Sequence, residues 1–516
     1  MNELIASVFE TPVINYRQLS PILIILGAAV ISVLVEAFVP RANRRVVQLV
    51  LVFLALITAI IWAVTGAGQQ AITGEGAIAV DGPGTFLQIT ILIVSVFVAM
   101  LMAENRLDPA GDAFTARANS LPGSEDEREY TNRGWTTTEL WPLFLFSVGG
   151  MLLFVVANDL LILFVALEVM SLPLYLMAAI ARRRRLLSQE AAMKYFLLGA
   201  FGSAFFLYGS AMAYGFAGSI RLGDIANAIS ALPGPNGLII AAVALLSVGM
   251  FFKIAAVPFH MWAPDVYVGA PSPVTAFMAS CVKIAGVGVL LRVMYVAFSG
   301  LAWDWRPLFW IVSIVTMLVA TILALTQTDI KRMLAYSSIS HAGFLLIAVI
   351  ALNPQGIAST LIYLVVYATA TVGAFGIVTL VRGPSGEATH LSQWAGLGKR
   401  SPLVAGGFAI LLLSFAGIPL TAGFIGKFTV FGAGIAGGAT PVVIVGAVAS
   451  MIAAFFYVRV IVLMFFTDPA EDGPTVVTPS PFTGIAISVS VILTVIFGIF
   501  PQPLIELAEK ASIFIR

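Results

Sequence analysis

One cysteine and three histidines in 516 residues leave little room for redox or metal chemistry. Cys281 alone forms no internal disulfide, no all-cysteine iron–sulfur site and no cysteine-rich zinc site. His260, His341 and His390 are too few to ligate a series of haems. Charge is scarce as well, with Asp, Glu, Lys and Arg making up 10% of the chain against 60% hydrophobic residues. The formal net charge of +1 lacks the basic excess of a nucleic-acid binder. Also missing are a Gly-x-x-x-x-Gly-Lys-Ser/Thr phosphate loop, a His-Glu-x-x-His zinc motif and a dinucleotide fingerprint in a soluble βαβ setting. ATP hydrolysis and direct NADH binding are therefore not expected of this chain, and any redox centre it serves belongs to other chains.

What the chain has instead is long apolar runs. A mean hydropathy of +1.01 marks a polytopic membrane protein. Fourteen spans can be read, starting near Pro21, Val46, Thr85, Leu140, Leu160, Ala191, Gly237, Pro273, Leu308, Met333, Ile357, Pro402, Val442 and Phe482. Residues 1–20 hold Glu3, Glu10 and Arg17 but no basic n-region and no small-residue cleavage pattern, so the first run reads as a permanent helix. Sixteen of the 27 lysines and arginines fall in loops after odd-numbered spans, among them Arg41, Arg117, Arg182 to Arg185, Lys331, Arg382 and Lys399. Five, Arg17, Arg221, Arg306, Lys510 and Arg516, fall on the other side. Odd loops are thus expected in the cytoplasm and both termini outside. The segment Glu104 to Thr138, with Glu125, Asp126, Glu127 and Glu129, reads as an exposed cytoplasmic loop too polar to bury.

The seventh and twelfth spans share a flaw. Gly249-Met-Phe-Phe-Lys253 is followed by Pro258 and Pro264, and Pro419 precedes Gly423-Phe-Ile-Gly-Lys427. Proline removes a backbone donor and disrupts a helix, which frees carbonyls to meet water or ions. The two spans are an odd number apart, so the second copy is inverted across the membrane. Interrupted helices at matching positions point to an inverted-repeat transporter. The expected architecture is an all-α membrane protein of about 14 transmembrane helices with two inverted five-helix repeats, each with a broken helix. Three N-terminal helices and the acidic loop occupy residues 1–138, the repeats 139–300 and 301–466, and a last helix 467–516.

Five ionisable side chains stand inside these spans: Glu168, Lys194, Lys253, Lys283 and Lys427. A charge at a helix centre costs about 2.5–3.5 kcal/mol, so the five are expected to face an internal, partly wet path for protons or cations. Glu168, in Val165-Ala-Leu-Glu-Val-Met-Ser171, has a proton affinity that a lysine partner can switch; the plainer reading is a static pair between helices. Lys253, beside the break, either exchanges protons or binds freed carbonyls. Lys283 is too central to snorkel, and Lys427 reads as the last stop before the outer face or as a structural loop lysine. Lys194 follows Glu190 by one turn, an ordinary helix-supporting pair worth about 0.2–0.5 kcal/mol. His260 lies two helical turns beyond Lys253, on the same face if the helix is unbroken, and a neutral imidazole there can relay protons. His341 sits among Ser337, Ser338 and Ser340, in a polar track or as a packing histidine, whereas His390 reads as a solvated loop residue. Glu139 and Asp159 read as interfacial, Arg459 as paired or snorkelling, and Arg182 to Arg185 as a topology anchor.

The stretch Lys253-Ile-Ala-Ala-Val-Pro-Phe-His260-Met-Trp-Ala-Pro-Asp265-Val-Tyr-Val-Gly-Ala-Pro271-Ser-Pro-Val-Thr-Ala-Phe277 resembles the antiporter-like membrane subunits of respiratory complex I, the NADH-quinone oxidoreductases, and within them the subunit N branch. Asp329-Ile-Lys-Arg-Met-Leu-Ala-Tyr-Ser-Ser-Ile-Ser-His-Ala-Gly343 and the run Gly417 to Phe431 support it. The likeness covers Glu139 to Phe466; the first three spans and the last match by number and topology, and the acidic loop departs from the pattern. The resemblance implies proton translocation through Glu168, Lys194, Lys253, His260, Lys283 and Lys427, driven by quinone reduction elsewhere in a complex. It implies no cofactor on this chain, with NADH, FMN, iron–sulfur clusters and quinone on partner subunits. The implied partners are other antiporter-like and small membrane subunits in a bilayer, here a bacterial-type plasma membrane. Two rivals stay open: a subunit of a cation/proton antiporter complex without redox chemistry, and a structural bridging subunit whose ionisable row is static.

Overall fold

The computed structural model describes residues 14–107, 112–115, 120–121, 124–133, 137–232, 234, 236–383, 386–469 and 473–515. Glu3, Glu10, Arg117 and Arg516, used above in reading the termini and the loop charges, lie outside the described residues.

Among the described residues, twelve helices are long and apolar enough to cross a membrane, from Tyr16–Phe38 to Pro481–Ile499, and three shorter apolar helices accompany them: Leu140–Phe154, Pro402–Ala416 and Ala422–Ala436. Every expected span begins inside one of these helices. Local chemistry sets the starts. Asp81, Asp159, Asn236, Asp329 and Asn353 each accept a backbone N–H from the first turn they precede, a cap worth about 1 kcal/mol. Pro354, Pro402 and Pro481 occupy first-turn positions where no donor is needed.

The centre is made by Ser272–Val296, Ile330–Ala351 and Pro354–Leu380, which are buried along almost their whole lengths. Around them, helices such as Arg41–Thr65 and Thr440–Phe466 leave Leu54, Met451 and Phe455 exposed, the pattern expected where lipid or a neighbouring subunit covers the protein.

One local arrangement occurs twice. Asp159 caps Leu160–Ala178 while Leu160 N–H donates to Ile220 O (3.0 Å) and Leu222 N–H to Asn158 O (2.9 Å). Asp329 caps Ile330–Ala351 while Ile330 N–H donates to Thr389 O and Leu391 N–H to Thr328 O, both at 2.7 Å. Packing follows suit: Leu140–Phe154 lies on Leu160–Ala178 as Ala302–Leu325 lies on Ile330–Ala351. Counted from the two capping aspartates, Ser338 stands where Glu168 does, and His341 where Ser171 does.

The acidic segment differs from its expected form. Its described part is docked, with Asp112, Phe114, Thr115 and Ser120 buried. Arg182 forms an ion pair with Asp112 at 2.7 Å, Arg185 pairs with Glu127 at 3.1 Å, and Thr115 N–H donates to Ile180 O at 2.8 Å. Of the four clustered acids, Glu127 meets a buried arginine, while Glu125, Asp126 and Glu129 are exposed as expected; Arg182 and Arg185 are tertiary ties. Glu125–Asn132 within the segment is helical.

Candidate functional site

Lys253, Lys283 and Lys427 are all buried, and among the described residues none of the three is in an ion pair within 4.0 Å. Hydroxyls, carbonyls and aromatic faces hold them.

Lys253 ends the helix Gly237–Ile254. Ala255 turns left-handed (φ 60°), and the Trp262 indole donates to the freed Phe252 carbonyl at 3.0 Å, so the break is satisfied by a side chain. Lys253 Nζ donates to Ser171 Oγ at 2.7 Å and lies 5.9 Å from the centre of the Tyr195 ring. Glu168, three residues before Ser171, is half-buried and its Oε1 has no hydrogen-bond partner among the described residues. The lysine therefore rests on a serine and, among the described residues, makes no ion pair with the acid within 4.0 Å. Gly286 lets the next helix in close: a Cβ there would lie 3.0 Å from Ile254 Cγ2, beside Lys253.

Lys283 follows a π-helical turn, Met278–Val282, inside Ser272–Val296. Such turns widen a helix and often mark functional positions. Its Nζ donates to the Ser338 carbonyl and sits 5.7 Å from the Tyr367 ring centre, while Tyr367 donates its hydroxyl proton to Ser338 Oγ at 2.8 Å. One turn on, His341 Nδ1 lies 2.6 Å from the Tyr363 hydroxyl, and the His341 ring is 4.9 Å from that of Tyr367. Ser337 and Tyr457 share a further hydroxyl contact. Of the two readings of His341, the polar track fits its surroundings.

Lys427 belongs to Ala422–Ala436, the second half of the other broken span. It reaches back over the break to donate to Ala416 O (2.9 Å) and Ser450 Oγ (2.8 Å), 4.8 Å from the Phe344 ring centre. Gly417 (φ +82°) makes this possible, since a Cβ there would lie 2.8 Å from Lys427 Cδ. Phe344 packs on His341 at 5.9 Å, which links this lysine to the Lys283 group.

Two expected members stand apart. Lys194 is 42% exposed and bonds Glu190 and Asp265, each at 2.7 Å. The next residue, Tyr195, is the one that faces Lys253, because adjacent helical positions point about 100° apart. His260 lies beyond the break, half-buried, with Nδ1 unpartnered among the described residues. Two turns of unbroken helix do not connect it to Lys253. Of the residues at the edges, Glu139 is exposed, His390 caps the short helix Leu391–Trp394, and Arg459 donates to the carbonyls of Leu325 and Gln327 at a helix end.

Sequence reading missed the polar partners Ser171, Tyr195, Tyr363, Tyr367 and Ser450, and placed Ser338 beside His341 but not on Lys283. A hydroxyl in an apolar helix carries no signal of its own. The available clue was helical spacing, Ser171 to Glu168 and Ser338 to His341, on faces that already held an ionisable group. Among the described residues no cluster of three or more His, Cys, Asp or Glu side chains could hold a metal ion.

The sequence profile of the NADH:quinone oxidoreductase/Mrp antiporter membrane family matches residues 157–454, the stretch that carries Glu168, Lys194, Lys253, His260, Lys283, His341 and Lys427. NADH-quinone oxidoreductase subunit N 3 of Streptomyces griseus subsp. griseus is 56% identical over 98% of this chain and 96% of its own. The chain belongs to the NADH-quinone oxidoreductase subunit N family. Subunit N of Mycobacterium tuberculosis is 50% identical over 99% of this chain and the whole of its own. A chain of respiratory complex I from Thermus thermophilus with bound aureothin superposes with a TM-score of 0.77 at 31% identity, covering 95% of this chain and 99% of that one. A chain of the Mrp complex from Dietzia sp. also gives 0.77, over 96% of this chain and 97% of its own, at 22% identity, a likeness of fold.

In this subunit N family member buried charges also lie outside the lysine row, and Arg292 is the deepest of the cations among them. Arg292 is wholly buried and grips Asp81 with both terminal nitrogens, at 2.6 and 2.9 Å, while its Nε donates to Val155 O. Ile515 N–H approaches Asp81 Oδ2 at 3.4 Å and the Phe514 ring covers the guanidinium, so the pair pins the end of the chain to the bundle.

Proposed function

We propose that this chain carries protons across the membrane as subunit N of an NADH-quinone oxidoreductase, coupled to electron transfer from NADH to quinone on other subunits. The observation that carries this reading is the row itself: three buried lysines without a carboxylate partner, each on a hydroxyl or carbonyl, with a histidine between the second and third. A lysine held this way exchanges a proton without breaking an ion pair, and the hydroxyls beside it are both donors and acceptors. Glu168, Lys253, His341, Lys283 and Lys427 form the route, with Ser171, Ser338, Tyr363, Tyr367 and Ser450 as carriers between them. Protons enter near Glu168 and Lys253 from the arginine-rich face, which we read as cytoplasmic, and leave beyond Lys427. Lys194 and His260 act at the margin of the route.

The same reading makes fourteen crossings, with both ends of the chain on the outer face of a bacterial plasma membrane. It makes the recurring aspartate-capped arrangement the trace of two inverted repeats, 139–300 and 301–466. NADH, FMN, iron–sulfur clusters and quinone reside on partner subunits, and the neighbours are other antiporter-like and small membrane subunits. Replacing Lys253 or Lys283 by alanine in the whole complex tests it. Proton pumping and quinone reduction both fall if the row conducts; unchanged pumping per electron in an assembled complex sinks the reading. Co-purification of NADH dehydrogenase subunits and flavin separates it from a cation/proton antiporter complex, and the identity of 50–56% to subunit N relatives favours the former.

A further inference from the structure

Lys331, counted from sequence as a loop cation, is only 2% exposed. It is the second residue of Ile330–Ala351 and stands at the wall of a cavity of about 50 Å³ on the arginine-rich face, large enough for a few waters. Arg182, Arg183, Arg184 and Arg382 line the same cavity, and Glu387 is the one carboxylate there among the described residues. Lys331 Nζ donates to Ala270 O at 2.8 Å and lies 3.7 Å from Glu387 Oε2, which accepts from Ser272 Oγ at 2.6 Å.

We propose that Glu387 and Lys331 form a proton-loading pair at this cavity, feeding Lys283 by way of Ser338. The inference rests on the proton-carrying function above and adds a second intake, separate from Glu168.

Three observations carry it. First, the lysine is an odd choice for a fixed charge: it stands at the positive end of a helix, where cations are disfavoured, beside four arginines and with Glu387 and the capping Asp329 as the nearby acids. An arginine would serve a permanent tie better, whereas lysine can shed its proton. Second, Glu387 is 18% exposed on its side chain, so it meets cavity water on one side and Lys331 on the other. Third, Lys331 and Ser338 stand two turns apart on one helix face, about 10 Å. Ser338 holds Lys283 through its carbonyl and Tyr367 through its hydroxyl, and the Tyr267 hydroxyl, on the segment that leads to Ala270, reaches the Ser338 side chain. In sequence, Glu387 takes a proton from cavity water and passes it to neutral Lys331. The ammonium gives it up toward the hydroxyls at Ser338 and so to neutral Lys283, leaving Glu387 a carboxylate again.

Lys331→Arg and Glu387→Gln in the whole complex test the pair, with NADH-driven proton uptake by membrane vesicles read per assembled complex. Lys331→Arg keeps the charge and the bond to Ala270 but does not release a proton. It is expected to assemble and to slow pumping on the order of tenfold, as is Glu387→Gln. Wild-type pumping in either assembled variant overturns the proposal; if the arginine variant does not assemble, the glutamine variant decides alone. Lys283→Ala is the control. If it pumps normally, the proton-carrying function itself fails; if it stops pumping while Lys331→Arg and Glu387→Gln do not, only the loading pair fails.

Discussion

Lys253 rests on Ser171, and among the described residues it forms no ion pair with Glu168 within 4.0 Å. The ammonium donates to Ser171 Oγ at 2.7 Å, Ser171 donates on to the Leu167 carbonyl, and Glu168 Oε1 is left without a partner among the described residues. A direct ion pair would trap the proton on the lysine; a lysine held by a serine hydroxyl gives it up without breaking one. Ser171→Ala removes a hydrogen bond to a charged group, worth about 1.5–3 kcal/mol, and is expected to slow proton pumping on the order of tenfold without reducing assembly. Ser171→Thr restores it. Wild-type rates in the alanine variant would show that the serine is packing only.

Lys194 is expected to behave unlike Lys253. Its two carboxylate partners lie at an exposed surface, where such pairs contribute about 0–1 kcal/mol. Lys194→Gln should therefore change assembly slightly and leave pumping per assembled complex within about a factor of two. A collapse of pumping like that of Lys253→Ala would mean that a neighbouring subunit makes Lys194 part of the route.

The left-handed turn at Gly417 is what allows Lys427 to fold back on Ala416. Gly417→Ala forces a Cβ against Lys427 in a backbone region that side chains disfavour, a loss of about 1–2 kcal/mol that also displaces the lysine. Gly432→Ala is the control, because a Cβ there meets nothing within 4 Å. Thermal stability of the purified complex should drop for the first and hold for the second, with pumping lost only in the first.

Breaking the Asp81–Arg292 clasp from one side leaves an uncompensated buried charge, at a cost of about 3–5 kcal/mol. Arg292→Met should abolish assembly of the subunit at growth temperature. Asp81→Asn combined with Arg292→Met removes both charges and should recover much of it, measured as subunit incorporated into the complex. Equal losses in the single and double variants would show that the pair does not act as a unit.

Glu104 gives a pH signature. Burial raises its pKa, but the amides of Arg106 and Ser480 donate to the carboxylate and the balance is a value below the ordinary 4.5. A group lowered in the folded state stabilises it above the unfolded value and loses that contribution as pH falls through the lowered one. The tie between the end of Gly82–Met102 and the start of Pro481–Ile499 should therefore hold at neutral pH and loosen only as the pH falls below the ordinary glutamate value. Glu104→Gln should remove that acid dependence; hydrogen exchange at Ser480 followed against pH checks it.

Much of the fold was legible because a bilayer permits few alternatives. A chain that must satisfy every backbone group internally forms helices, so apolar length alone located Tyr16–Phe38 or Thr440–Phe466. Proline with glycine marked both broken spans. The acidic segment was misjudged for a physical reason. Its burial depends on Arg182 and Arg185, which lie far along the chain, and a composition has no record of which charges meet.

The site divides in the same way. The sequence by itself determined that Glu168, Lys253, Lys283 and Lys427 stand in apolar spans, because the cost of a charge there follows from the neighbours in the chain. Only the tertiary structure decided what each one touches. Lys194 and Tyr195 are adjacent in sequence and point to opposite environments. Lys331 looked like a loop charge and is buried, since helix ends from three distant segments close over it. Serine and tyrosine hydroxyls cost too little in a helix to be conspicuous in the chain. Their role appears only when folding sets them within hydrogen-bond reach of a lysine.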